Sequence, residues 1–408
     1  MSVSSSAPRG PVTPHAPLWL LVMIIVSGTL AMHMFVPALP QAAQALGVGS
    51  GTMQMTISVY IMGLAAGQLV YGPLSDSLGR RPMLLVGLTL YTVAGLVAAC
   101  ASGIHTLIAA RLFQALGGCA GLALGRAIVR DTAPPDEAVR ALALMNLMMM
   151  IGPGLAPLLG SGLVALSGWR AIFVLLAGLG AVTLAFTWRL IPETGKPTGT
   201  LSMAVLLHDY GLLLRSRSFL GYALGGGCAT TSIYAFIAAA PFIVTTQLHR
   251  PLHEVGIHLG LLIAGMSVGN ALTRRLVRPV GIEKLLLIGI AISVVSGLTL
   301  LLIVLIGRLT VPAMVGCMFL FALGAGMSSP AALSKALGVQ ASIVGSAAGL
   351  YGFAQMSVGA LCTFLAGLGG NPVLAAALVV SGAAIVGQVS FLAGLRAERR
   401  VRQRAFFS

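Results

Sequence analysis

Arg111 is the one fixed charge deep inside an apolar run of this chain, and His33 is a lone imidazole at a matching depth in another. A guanidinium in hydrocarbon cannot shed its charge, so at the centre of a lone membrane helix it costs about 2.5–3.5 kcal/mol on insertion scales. Arg111 must therefore face a water-filled cavity within the protein or, lying about 9 Å from the outer end of its run, stretch toward that surface. An imidazole, with a reference pKa of about 6.5, has the chemistry of a proton carrier. His33 also lies about 9 Å from the outer end of its run, so the two groups could meet across a cavity. A cation so close disfavours imidazolium, and His33 is then neutral while the cavity is empty. Arg111 would be left with Gln114, Gln68 or helix carbonyls as partners, or with an anionic or strongly dipolar substrate. A purely structural His33, hydrogen-bonded to a neighbouring helix, is the third reading.

The elements that must position these groups are membrane helices. Hydrophobic residues make up 57% of the chain and charged ones 8%, with 52 glycines, a composition far from that of a water-soluble domain. A bilayer core of about 30 Å needs roughly 20 helical residues. Apolar runs of that length fall roughly at 18–39, 53–75, 83–103, 105–129, 139–165, 171–190, 218–243, 253–276, 284–306, 311–334, 340–368 and 372–395. The spacing predicts an all-α membrane protein of twelve transmembrane helices. Of the 24 Lys and Arg residues, all but Arg111, Arg170, Arg250 and Arg308 lie in alternate loops on one side, which marks that side as cytoplasmic and places both termini there. The divisions expected are a disordered cytoplasmic N-terminus (1–17), a six-helix bundle (18–191), a polar cytoplasmic linker (192–217), a second six-helix bundle (218–395) and a basic cytoplasmic tail (396–408). Arginines in that tail, followed by Phe406 and Phe407, suit either anionic lipid or a solvated tail.

The net charge of +15 is scattered over helix ends without aromatic interleaving, which excludes nucleic acid as a partner. Cys100, Cys119, Cys228, Cys317 and Cys362 sit in apolar runs without metal-ligand spacing and read as small packing residues. No nucleotide-binding loop or hydrolytic constellation occurs, so neither a cofactor nor an enzyme is expected. The first apolar run is too long for a signal peptide. Small residues at Gly117/Gly121/Gly125, Gly345/Gly349 and Ala348/Gly352 allow close helix approach. Tyr60, Gln68, Gln114, Asn146, Met149, Tyr234, Phe236, Asn270, Tyr351, Gln355 and Met356 are the candidate lining of a cavity, mostly apolar with a few polar groups, as suits an amphiphilic ligand.

The segment Gly72-Pro73-Leu74-Ser75-Asp76-Ser77-Leu78-Gly79-Arg80-Arg81-Pro82, between the second and third spans, resembles the cytoplasmic signature of the major facilitator superfamily. Arg111-Leu112-Phe113-Gln114-Ala115-Leu116-Gly117 is similar to that family's second motif. Gly152-Pro153-Gly154-Leu155-Ala156-Pro157-Leu158-Leu159-Gly160, on the fifth span, resembles its antiporter motif, where Pro153 and Pro157 each remove a backbone donor and should bend the helix. Pro37-Ala38-Leu39-Pro40, Gly125 through Asp131, Gly168 through Phe173 and Pro192-Glu193-Thr194 narrow the resemblance to the Bcr/CflA type of drug:proton antiporter. It implies two pseudo-symmetric six-helix bundles and a latch of Gly72, Asp76, Gly79, Arg80 and Arg81 that holds the cytoplasmic side closed. Gly72 through Pro82 is echoed by Gly269 through Pro279, which supports a duplicated unit.

One departure stands out. Relatives usually carry an acidic residue where this chain has His33, and none of its nine acidic residues lies deep in an apolar run. The resemblance implies a monomeric inner-membrane exporter of small amphiphilic compounds, with protons, small-molecule substrate and membrane lipid as partners. His33 then either replaces the carboxylate or leaves coupling altered. A passive facilitator or metabolite exporter and a transport-inactive sensor or scaffold are the competing readings.

Overall fold

The computed structural model describes residues 17–132, 135–194, 203–340 and 343–407, apart from the side chains of residues 130, 132, 135–143, 146, 147, 149–153, 203, 205, 344, 401, 402 and 404–407. Described elements are all helical. The first crossing is α1 (Leu18–Phe35), a 3-10 turn over Val36–Ala38 that carries Pro37, and α2 (Leu39–Leu46). Then follow α3 (Ser50–Leu78), α4 (Arg80–Ala99), α5 (Ile104–Thr132), α6 (Pro135–Ser167) and α7 (Arg170–Leu190). The second half comprises α9 (Arg217–Thr230) with α10 (Ile233–Phe242), α11 (His253–Val280), α12 (Ile282–Leu305), α13 (Val311–Gly338), α14 (Val344–Gly367) and α15 (Pro372–Phe407). Among the described residues eleven helical stretches are long and apolar enough to cross a membrane. α6, 33 residues long, supplies the twelfth crossing of the expected pattern.

The connecting segment is less irregular than its polar composition suggests, since α8 (Met203–Arg215) forms within it. Its Leu213 is buried with Phe219, Leu350 and Phe391, and Asp209 Oδ2 accepts from Ser346 Oγ on α14 at 2.9 Å. At the other end, α15 does not stop near residue 395 but runs to Phe407. Glu398 holds it there by accepting from Tyr222 and Lys335, so this part of the expected tail is built into the bundle.

Lipid gives helices no hydrophobic reason to associate, so close approach of backbones must supply the packing. The glycines of α5 do this on two sides. A Cβ on Gly117 would lie 2.5 Å from the Gly87 carbonyl of α4, whereas one on Gly121 would lie 2.3 Å from the Ile24 carbonyl of α1. Gly28 and Gly118 bring α1 and α5 together in the same way, with a Gly28 Cβ 2.8 Å from Gly118 O. Cys119 fills the notch at Gly67 and donates to Leu64 O at 3.3 Å, the packing role expected of it.

The two halves meet along α3 and α14 and along α6 and α11. Gly51 and Gly367 touch backbone to backbone, and further along the same seam the Gln68 side chain enters the notch at Gly352. Leu158 and Pro157 meet Gly256 on the other seam.

At the basic face each half is tied by a cluster of charges at equivalent helix ends. In the first half Arg80, at the start of α4, pairs with Asp76 and, through Nε at 3.2 Å, with Asp131 on α5. Glu193, after α7, accepts from the backbone N–H groups of Arg80 and Arg81 at 2.8 and 3.2 Å. In the second half Glu283 at the start of α12 and Glu398 on α15 flank Lys335 of α13 at 2.8 and 3.2 Å. The first two signs are exchanged between the halves. Glu283 and Lys335 each complement the dipole of their own helix, whereas Arg80 opposes that of α4 and needs the Glu193 carboxylate as its cap. Gly79 and Gly281, the residues just before α4 and α12, adopt nearly the same conformation, with φ of 102° and 87°. The repeat therefore aligns Gly79 with Gly281, not with Leu276 as the sequence echo would place it. Gly72 lies within α3 and makes no turn. The reversal falls wholly on Gly79, where a Cβ would also strike the Glu193 carboxylate at 2.6 Å.

Two outcomes follow for thermal unfolding of the detergent-solubilised protein. Gly121→Val should destabilise by about 1–3 kcal/mol through overpacking against α1, while Gly178→Ala, in open surroundings, should be neutral or slightly stabilising. Lys335→Ala should lower the melting temperature clearly, because it removes the cation shared by Glu283 and Glu398 and leaves Glu283 paired only with the exposed Arg399, at a cost of about 1–3 kcal/mol. Arg399→Ala, whose side chain is 71% exposed, should change little.

Candidate functional site

The two deep basic groups lie on opposite sides of α1, with His33 carried by α1 itself and Arg111 by α5. Successive residues of a helix are rotated by about 100°, so Ala31 and Phe35 share a face that His33 does not. Arg111 meets the Ala31/Phe35 face. Its Nη1 donates to Ala31 O at 3.1 Å and to Gln114 Oε1 at 2.7 Å. The guanidinium carbon lies 3.9 Å from the centre of the Tyr60 ring, with Phe35 and Phe173 at 5.4 and 5.7 Å. A cation over an aromatic face is stabilised by the ring quadrupole, the more so where water is excluded.

This nest corrects the expected vestibule. Arg111 is kept from lipid, but at 0% exposure it is enclosed by aromatic rings instead of facing water. Tyr60 and Gln114, expected as cavity lining, are equally buried and belong to the nest. Tyr60 is fixed there because its hydroxyl donates to Gly28 O at 2.6 Å, on the same glycine that lets α5 approach. Nε and Nη2 of Arg111 and Nε2 of Gln114 have no acceptor among the described residues.

His33 points the other way, across the seam. Its ring centre is 6.1 Å from that of Tyr234 on α10, so it does not meet Arg111. Tyr234 stands just beyond an interruption of the seventh crossing, between Thr230 and Ile233. Thr230, Thr231 and Ser232 each donate a side-chain hydroxyl to the carbonyl four residues earlier, a habit that bends helices. The single Thr231 hydroxyl proton is shared between Gly227 O and Gln355 O, the latter 2.6 Å away, and Gln355 Nε2 donates to Thr230 Oγ1 at 2.6 Å. Tyr351 places its hydroxyl against Gly226, with no hydrogen-bond partner among the described residues. Past α10 the helix widens into a π-turn over Ile243–Gln247. Interrupted helices of this kind expose backbone groups at membrane depth only where protein or a cavity satisfies them. The Thr-Thr-Ser run, absent from the sequence-based candidates, was the available signal for this break.

Of the remaining candidates, Gln68 lies on the seam at Gly352, Met356 packs on the main core, Phe236 is buried in it, and Asn270 faces Gly326 of α13 through its backbone. The side chains of Asn146 and Met149 lie outside the described residues, as do those of Gly152 and Pro153. α6 continues helically through all four. Pro157 and Gly160 are buried, and a Gly160 Cβ would meet Met34 O at 2.2 Å. Asp76, Gly79, Arg80 and Arg81 gather in the basic-face cluster of the first half, where Arg81 Nη2 donates to Trp188 O at 2.7 Å.

Comparison with known proteins agrees with this architecture. The chain is 28% identical over 348 residues to a bicyclomycin resistance protein homolog of Haemophilus influenzae, covering 83% of this chain and 87% of that one. It is 30% identical over 286 residues to the multidrug transporter MdfA of Yersinia pestis, covering 69% and 70%. In fold it matches the crystal structure of a D-xylose-proton symporter with a TM-score of 0.70 at 14% identity, over 92% of this chain and 95% of that one. The model of the Major Facilitator Superfamily matches residues 20–363, and the chain belongs to that superfamily of membrane transporters.

Proposed function

We propose that this transporter exports small amphiphilic compounds across the bacterial inner membrane in exchange for protons, with its basic face in the cytoplasm. The observation that carries the reading is His33: an imidazole at the seam between the halves, beside the interrupted seventh crossing, where movement of one half against the other would change its surroundings. An imidazole there can take a proton in one arrangement and release it in the other, with no carboxylate needed. The names of the drug-resistance relatives support the class of cargo. The 20 basic residues on one face support the orientation.

The absence of an acidic residue deep in any apolar run favours one alternative, a facilitator in which proton coupling is lost. Expression in cells lacking their own efflux pumps separates the two. Resistance to bicyclomycin or to members of a panel of neutral, anionic and cationic amphiphiles should rise, and a protonophore should abolish the lowered drug accumulation. In proteoliposomes His33→Ala should reduce gradient-driven accumulation by about tenfold or more while substrate exchange continues. Undiminished accumulation in His33→Ala would remove His33 from the coupling. Resistance that survives the protonophore would favour the facilitator.

A further inference from the structure

Arg111 is a buried cation with no anion beside it among the described residues. All nine acidic residues of the sequence lie near helix ends or in connections. Among the described residues the nest offers Arg111 only dipoles: the Ala31 carbonyl, the Gln114 amide oxygen and the Tyr60 ring face. Dipoles lower the self-energy of a charge without cancelling it. Two guanidinium nitrogens and the Gln114 amide nitrogen are left as buried donors without acceptors, a concentration of positive potential in a low-dielectric surrounding. The half that holds the nest thus carries one uncompensated positive charge at membrane depth.

This charge lies one helix away from the space between the halves. Arg111 bonds α1 on the Ala31 side, while His33, two residues on, faces Tyr234 of the other half. A helix with its side chains is about 10 Å across. Over that distance, at an effective dielectric of about 20, a unit charge changes the affinity for a charged ligand by roughly tenfold, raising it for an anion and lowering it for a cation. We infer that the Arg111–Gln114 nest is a charge filter that makes organic anions, bearing a carboxylate or sulfonate on an apolar body, the preferred cargo class. The inference rests on the transporter reading and adds to it the sign of the substrate charge. It also singles out Gln114 as the residue that keeps the filter positive, because a carboxylate at the position of its Oε1, 2.7 Å from Arg111 Nη1, would neutralise the nest with almost no change of shape.

Equilibrium dialysis on the full-length protein in phosphatidylcholine nanodiscs tests this, at about 0.5 M salt so that exposed arginines are screened within a few ångströms. The probes are 1-anilinonaphthalene-8-sulfonate, its uncharged parent N-phenyl-1-naphthylamine, and tetraphenylphosphonium, each corrected for empty nanodiscs. The wild type should bind the sulfonate about tenfold more tightly than the parent, with the phosphonium weakest. Gln114→Glu and Arg111→Gln should each bring the sulfonate-to-parent ratio close to one, and Gln114→Leu should keep it. A wild-type ratio of one, no binding of the sulfonate, or an unchanged ratio in a folded Gln114→Glu or Arg111→Gln protein overturns the assignment. The wild-type ratio decides if neither variant folds. Gradient-driven movement of the same probes in proteoliposomes scores transport separately: a sulfonate that binds with the predicted ratio but is not moved sinks the transport reading and leaves the filter standing.

Discussion

A full positive charge held in the membrane, with no anion beside it among the described residues, is the constraint around which the first half is arranged. Such a group is tolerated only if lipid never reaches it and polar or aromatic partners surround it. Those partners are delivered by four helices at once: a carbonyl from α1, a ring from α3, an amide from α5 itself and a further ring from α7. The delivery depends on glycines. Gly28 accepts the Tyr60 hydroxyl and also lets α5 lie directly on α1, so one small residue sets both the ring and the distance that the guanidinium must span.

The same economy governs the rest of the molecule. Within each half, backbones touch at glycine notches and the basic-face ends are tied by charge clusters with buried or half-buried members. Between the halves α3 packs along α14 and α6 along α11, with a backbone touch at Gly51 and Gly367, a glutamine in a glycine notch, and the ring pair of His33 and Tyr234. The exchange of signs between the two basic-face clusters gives the halves unequal footing. In the second half the charges and helix dipoles agree, whereas in the first the cap on α4 is borrowed from Glu193 beyond α7.

Much of this was legible in the sequence, for physical reasons. A bilayer demands runs of fixed length, so the twelve crossings stand out without any tertiary information, and Arg111 is conspicuous because hydrocarbon admits so few charges. Its seclusion from lipid followed from cost alone. Its actual company did not, because rotation of α1 about its axis is decided by where Gly28 fits Gly118, and that rotation also turned His33 away from Arg111 and toward Tyr234. The charged signature between α3 and α4 was found correctly, but its turn collapses to Gly79 alone since α3 stays helical past Gly72. Helix continuation likewise misled at the C-terminal end, where Glu398 finds Lys335 on another helix. The break in the seventh crossing was hidden in an apolar background, although three successive hydroxyl residues, Thr230 to Ser232, are a local cause that periodicity does not register.

The seclusion of Arg111 from lipid and water alike is the claim from which the others follow, and its chemical reactivity measures it directly. Phenylglyoxal, a small membrane-permeable reagent for arginine, can be applied to native membranes containing the protein and the modified sites located by mass spectrometry. Arg250 and Arg308, on exposed connections, should be modified readily, while Arg111 stays unmodified until the protein is unfolded. Modification of Arg111 in the native membrane at the rate of those exposed arginines would contradict the account.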